Sequence, residues 1–285
     1  MNASPALSEN SKVSETAASK IDGAPAPVEV ELPASVGYGT TATVGFEALT
    51  PGAGVTTNQN VVVVVLAQIK KSSLLWGAGR FVFSRFALAN IPGLKFSKML
   101  GCGYDGGFGL RPSLTRQGLF LVFNTAEQAG EFLDRSPIIK QYQYRCKEFL
   151  TVVLNPYSVK GTWSGMSLAT TQKAPAADHA IATLTRASIR PRRMFSFWRL
   201  APATHDALFA ANGCLLAIGV GEAPFVRQAT ISLWENTAAM NNYAQHGAHL
   251  TAIKAAYKED YFSESMFVRF VVQDIKGVYK GKTFG

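Results

Sequence analysis

The chain repeats itself, and that repeat limits its fold more than any other feature. Arg116-Gln117 opens an apolar run ending at Phe123, and Arg227-Gln228 opens another ending at Trp234. Lys160-Gly-Thr-Trp-Ser-Gly165 recurs as Lys276-Gly-Val-Tyr-Lys-Gly281, Gly101-Cys-Gly103 as Gly219-Val-Gly221, and Ala67-Gln-Ile-Lys70 as Ala187-Ser-Ile-Arg190. The four matches keep one order, roughly 111 to 120 residues apart, and the drift is what loops of unequal length leave between two copies. A unit of this size is a duplicated domain, too long for a solenoid repeat.

Each copy reads strand, helix, strand, strand, helix, strand. In the first, the β-branched run Val61–Ile69 predicts a strand buried on both faces. Residues 74–89 carry helical spacing, with Leu75, Phe83 and Phe86 beside Trp76 and Val82, and stop before Pro92-Gly93. Lys98–Leu100 leads into a glycine-rich loop, Leu119–Phe123 is the next strand, and Thr125 caps a helix running through Phe132 to Cys146. A last strand, Phe149–Leu154, is expected to end at Asn155-Pro156. The second copy follows with strands at 180–187, 215–218, 230–234 and 266–272 and helices at 194–210 and 238–258. βαββαβ is the ferredoxin-like order. The fold class expected is therefore α+β: tandem ferredoxin-like units whose sheets face each other around a central cavity, a dimeric α+β barrel within one chain. The expected domains are a disordered arm at 1–60, a first unit at 61–165, a linker at 166–178 and a second unit at 179–285.

Residues 1–60 are assigned to the arm because they are rich in Ala, Ser, Thr, Gly and Pro without periodicity. Their start lacks the basic and apolar regions of a secretory signal, and no apolar run reaches the ~20 residues of a membrane-spanning helix. Cys102, Cys146 and Cys214 are scattered, as suits reduced thiols in a cytosol and not a structural zinc site. The formal net charge is +9; the first sixty residues hold two lysines against six acidic residues, so the remainder carries +13. A basic folded part calls for an anionic partner: nucleic acid, acidic lipid or an anionic cofactor.

Gly101-Cys-Gly-Tyr-Asp-Gly-Gly-Phe-Gly109 fits neither a Walker nor a Rossmann phosphate loop, since a strand follows it; it reads as a mobile loop placed to line a pocket mouth. The block from Arg186 to Arg199 holds five arginines interleaved with Phe195, Phe197 and Trp198. Such a block suits a nucleic-acid patch, a carboxylate clamp, a membrane contact or simply a solvated helix start over a core. Its clustering at one strand-to-helix junction, not along a groove, argues against nucleic acid. His249, Ile253 and Ala256 share one helical face with the apolar stripe, so His249 is expected to point inward, where a hydrogen-bonded core histidine is the ordinary outcome.

With the arginine block, Gly219-Val-Gly-Glu-Ala-Pro224, Arg227-Gln-Ala-Thr-Ile-Ser-Leu-Trp234, His249-Leu-Thr-Ala-Ile-Lys254 and Phe262-Ser-Glu-Ser-Met-Phe-Val-Arg-Phe270, the chain resembles the spheroidene monooxygenase family, the acyclic carotenoid 2-ketolases, over roughly residues 61 to 285. The resemblance implies two successive oxygenations of an acyclic, spheroidene-like carotenoid at C2 to give a ketone. It further implies haem iron as cofactor, dioxygen as oxidant and reduced ferredoxin as electron source and partner. By position His249 becomes the expected axial iron ligand, with His246, Cys102 and Cys214 as alternatives. On chemical grounds Arg190, Arg192, Arg193 and Arg227 become candidates for holding haem propionates or, for Arg227 as the catalytic group, a distal dioxygen. A polyene substrate suits a cytoplasmic protein peripheral to the inner membrane, with no nucleic acid as partner. The rival expectation is a non-catalytic α+β barrel that binds a hydrophobic ligand.

Overall fold

The computed structural model describes residues 60–223 and 225–285, so the expectation of a disordered arm lies, apart from Asn60, outside the described residues. The first copy contains β1 (Val61–Ile69), α1 (Leu74–Leu88), β2 (Leu94–Gly103), β3 (Pro112–Phe123), α2 (Ala126–Arg135), α3 (Pro137–Arg145) and β4 (Cys146–Gly161). The second contains β5 (Ile181–Ile189), α4 (Met194–Phe209), β6 (Cys214–Ala223), β7 (Arg227–Trp234), α5 (Thr237–Gln245), α6 (Gly247–Lys258) and β8 (Phe262–Tyr279), followed by a short β9 (Lys282–Phe284). Both copies are ferredoxin-like. Their strands join in the order β4-β1-β3-β2-β6-β7-β5-β8, and β4 pairs with β8 to close an eight-stranded antiparallel barrel.

The two seams show why the repeat motifs recur. At one seam Gly101 pairs with Gly221 and Cys102 with Val220, so the two glycine motifs of the repeat lie against each other about a pseudo-twofold axis. A Cβ on Gly219 would lie 2.5 Å from the Gly107 carbonyl oxygen, so glycine here lets the following loop cross the seam. At the other seam the long strands β4 and β8 cross and each runs on into a tight turn. Ser164 and Gly165 in one turn, Lys280 and Gly281 in the other, have positive φ. That backbone is the signature of a primed hairpin turn.

Each turn is held by a carboxylate from the opposite copy. Glu264 accepts from the Gly165 N–H at 2.9 Å and the Thr162 hydroxyl at 3.0 Å. Its counterpart Glu148 accepts from the Lys280 and Gly281 N–H groups, both at 3.0 Å. Each turn also buries an aromatic ring, Trp163 or Tyr279, beneath an arginine: Arg186 lies 5.5 Å from the first ring and Arg116 4.9 Å from the second. The Lys-Gly-x-aromatic-x-Gly motif is therefore the device that locks the two copies together.

The expected central cavity is filled. Val62, Val64, Leu66, Phe120, Val122, Leu184, Ile218, Ile231, Val268 and Phe270 meet inside the barrel with Trp163 and Tyr279 in one continuous core. Small barrels of this strand number are closed by their own side chains.

Local boundaries differ from the sequence expectation for identifiable reasons. β4 runs through Asn155-Pro156 because a bulge between Pro156 and Ser158 absorbs the missing N–H. The helix expected from Thr125 to Cys146 breaks at Ser136-Pro137, where the serine hydroxyl caps α3. Its counterpart breaks at His246-Gly247, with Gly247 at φ +60°. The glycine segment begins as strand: Gly101–Gly103 belong to β2, and only then does the chain turn.

Candidate functional site

The two flanks of the barrel differ in one decisive respect. Under α1 to α3 the sheet offers large apolar side chains: Val61, Val63, Val65, Leu119, Leu121 and Phe123, all buried. Under α4 to α6 the matching positions are small. Gly219, Thr230 and Thr185 form one row across β6, β7 and β5, and Ala217, Ser232 and Thr183 lie in the next; only on β8 do the rows end in large residues, Phe267 and Arg269. Thr185, in the middle of this floor, is exposed, whereas Val65 at the matching place in β1 is 1% exposed. The helix above is equally revealing. α3 buries Ile138, Ile139 and Tyr142, but α6 buries no residue fully and leans on α4 and α5 instead of seating on the sheet. Close packing is the rule in protein interiors. The partly or fully exposed Thr183, Thr185 and Thr230 beneath an unseated helix thus leave this flank open as a cleft.

His249 lies in the first turn of this unseated helix. Counted from the helix start, it takes in α6 the place Ile139 takes in α3, which is why its face points toward the sheet. The ring is half-buried and lies 4.6 Å from the Tyr243 ring, which in turn lies 5.4 Å from Trp234. Nδ1 faces the Ala244 carbonyl oxygen at 3.4 Å, and Nε2 has no hydrogen-bond partner among the described residues. Burial pushes the ring's pKa down, with the Ala244 carbonyl partly opposing, so the imidazole is neutral at pH 7. A neutral ring with Nδ1 turned to a backbone carbonyl leaves Nε2 as the donor for a metal. His246 is exposed at the α6 N-cap, its Nδ1 2.8 Å from the Asn242 carbonyl oxygen. It borders a recess of about 210 Å³ shared with Ala207, Ala211 and Tyr243.

The arginine block lies at the other end of α6. Arg190 Nε is 3.1 Å and Arg192 3.5 Å from Asp260, and Arg193 is 3.0 Å from Glu259. These contacts tie the start of α4 to the end of α6. Arg193 Nε is nevertheless buried without a hydrogen-bond acceptor, so one donor there remains unmet. Between the two ends, Phe197 and Trp198 of α4 meet Tyr261, Phe262 and Phe108 edge to face or stacked.

Arg227 is not brought to His249. It is exposed at the first residue of β7, paired with Ser188 and beside Arg186 and Glu222. Tyr243, under the His249 ring, stacks on Trp234 at the opposite end of that strand, roughly 20 Å away. The thiols stand apart too. Cys102 is in the barrel core and Cys214 half-buried at the start of β6, their pKa values pushed by burial to about 12 and about 11. Both stay protonated at pH 7.

Two residues from segments singled out in the sequence take roles that the sequence did not specify. Phe108, from the glycine loop of the first copy, stacks on Trp198 at 5.3 Å and donates its N–H to His205 Nδ1 at 3.0 Å, so that loop forms part of the second copy's wall. The buried Arg186 binds Glu264 at 2.5 Å and Glu222 at 3.3 Å, while Glu222 also takes Lys98 and the Trp163 indole N–H. Arg186 is therefore structural, although it belongs to the same block.

A closed barrel of two ferredoxin-like copies, packed on one flank and open on the other, defines a single-chain dimeric α+β barrel. An aldoxime dehydratase in complex with butyraldoxime shares this fold, with a TM-score of 0.53 at 10% identity over 76% of this chain and 80% of that one. No protein-family profile matches the chain. Its sequence is 48% identical to the spheroidene monooxygenase of Rubrivivax gelatinosus over 84% of this chain and 92% of that protein. It is 32% identical to the spheroidene monooxygenase of Rhodobacter capsulatus over 74% and 89%. The chain belongs to the spheroidene monooxygenase family, and it is a monooxygenase.

Proposed function

We propose that the protein oxidises an acyclic carotenoid of the spheroidene kind at C2 to a ketone, with dioxygen, a haem cofactor and electrons from reduced ferredoxin. The observation that carries this reading is the open flank of the second copy: an exposed Thr185 floor under a helix that buries nothing. The donor set suits haem. His249 Nε2 supplies a neutral nitrogen at one end of α6, and Arg193, whose Nε is unmet, supplies a basic rim at the other with Arg190 and Arg192 beside it. When bound, haem supplies an iron centre at which dioxygen is activated with ferredoxin electrons.

The chain's own residues do the rest. The Thr183–Thr185–Thr230 floor leaves room for a flat group, and Phe197, Trp198, Tyr261 and Phe108 keep water from the polyene. Tyr243 fixes the His249 ring plane from below. Arg227, at the far end of β7, is assigned no step. In the substrate, the first oxygenation converts CH2 to CHOH and the second gives a geminal diol, which loses water to leave the ketone. Each round consumes one dioxygen, two electrons and two protons and releases one water.

Expression in a host that accumulates spheroidene, followed by mass analysis of the pigments, tests this. The expected product has gained one oxygen and lost two hydrogens per oxidised end. Pigment of unchanged mass, in cells that contain folded protein, contradicts the proposal. Among the described residues no helix is long and apolar enough to cross a membrane, so a membrane-dissolved substrate calls for contact at the bilayer surface.

A further inference from the structure

The spacing of Leu75, Phe83 and Phe86 marks an apolar helix face, and the ordinary destination of such a face is the core. In α1 it points the other way. The helix buries Gly77, Ser84 and Leu88 against the sheet and turns outward Leu75, 92% exposed, with Phe81, Val82, Phe83 and Phe86. This orientation is anchored. The buried Gln117 donates to the Gly77 carbonyl at 2.7 Å, and a Cβ on Gly77 would lie 3.1 Å from that amide nitrogen. The Tyr142 hydroxyl holds Gln117 in turn, at 3.4 Å. α1 is thus pressed down by its small face, and its large apolar face has no partner among the described residues. Apolar patches of this kind mark interaction sites.

We infer that the outer face of α1 docks the protein on an anionic lipid bilayer. Charge selects the occupant. From Val61 to Tyr104 the chain holds no acidic residue, while the exposed cations Lys70 and Lys71 precede α1 and the exposed Arg85 stands in its last turn. Arg85 lies over the exposed Phe86 ring, 4.5 Å from its centroid, as arginines do at a membrane interface. A second copy of the chain is disfavoured, because a twofold contact would set this all-cationic rim against itself. Apolar side chains that enter the acyl boundary, ringed by cations that meet the headgroups, are the chemistry of a peripheral anchor. The inference extends the reading of a membrane-dissolved substrate, but its test needs no turnover.

The full chain is floated with vesicles of phosphatidylcholine alone or mixed with phosphatidylglycerol. Binding is expected with the mixed vesicles and at least tenfold weaker with phosphatidylcholine alone. Phe83→Glu/Phe86→Glu is expected to lower binding to mixed vesicles by at least tenfold. Lys71→Glu/Arg85→Glu, which leaves the apolar ridge in place, is expected to lower it by more than the roughly fivefold carried by one cation. All of these positions are exposed, so circular dichroism and melting should match wild type. Mixed-vesicle binding equal in wild type and both variants overturns the inference. So does a wild-type dimer, seen by ultracentrifugation, that Phe83→Glu/Phe86→Glu converts to monomer without any vesicle binding in either. If the pigment assay fails while vesicle binding follows this pattern, the carotenoid reading falls and the docking face stands.

Discussion

Replacing Glu264 with Gln should loosen the lock between the two copies, and its size follows from the site. Burial pushes the Glu264 carboxyl up, but the Gly165 N–H, the Arg186 guanidinium, the Ser164 N–H and the Thr162 hydroxyl outweigh it and hold the pKa at about 2. Against an unperturbed value near 4.5, and discounted for solvent screening at a carboxylate that is only partly buried, that gap corresponds to about 2 kcal/mol of stability. Glutamine keeps an acceptor for Gly165 but loses the charge, and it leaves the buried Arg186 with only Glu222. The expected loss at pH 7 is about 2 kcal/mol. The pH dependence gives the reasoning a sign. Because the folded pKa is depressed, the contribution is fully present above about pH 5 and lost as pH falls toward 2. Urea unfolding of wild type and Glu264→Gln from pH 7 to pH 3 should show a gap that narrows on the acid side. A gap below about 0.5 kcal/mol at pH 7, or one that stays constant to pH 3, would refute the assigned role.

Gly161→Ala should destabilise the other element of the same lock. Gly161 has φ +87° and a Cβ there would lie 2.1 Å from the Ser265 carbonyl oxygen, so a loss of about 2 kcal/mol or more is expected in thermal melting. Gly165→Ala, also at positive φ but with nothing near its Cβ, should cost less, and equal losses would count against the steric argument. Thr185→Phe fills the cleft floor with a side chain of the kind the first copy already carries. It should leave melting without cofactor unchanged or higher while reducing haem uptake at least tenfold, read by titration of the Soret band. Normal uptake would place any cofactor elsewhere.

The fold was legible because the duplication is written in residues that close the barrel. The recurring Lys-Gly-x-aromatic-x-Gly and Gly-x-Gly motifs are the locking turns and the seam, positions where few other residues fit. The cleft was less legible. Its sign is what the second copy lacks: Thr185 and Ser232 where the first copy has Val65 and Leu121. Such a difference appears only after the copies are aligned strand by strand. Periodicity marked the apolar face of α1 but could not say which way it points, since Gln117 and Gly77, not hydrophobicity, set the orientation. The arginine block, whose sequence left a ligand clamp and a solvated helix start both open, divides in space, and Arg227 stands apart from it. Arg186 points into the barrel, Arg190 to Arg193 hold the end of α6, and Arg227 lies on the neighbouring strand. Sequence proximity does not record that alternate strand residues face opposite sides of a sheet.

The central claim is that the open flank of the second copy holds haem with His249 as its donor. The most direct test is the visible absorption spectrum of the full chain, loaded with haem, beside that of His249→Ala prepared in the same way. The account predicts a Soret band in the wild type that is lost or clearly shifted in the variant and restored toward the wild-type position by added imidazole. A wild-type protein that takes up no haem, or a variant with the wild-type spectrum, would contradict it.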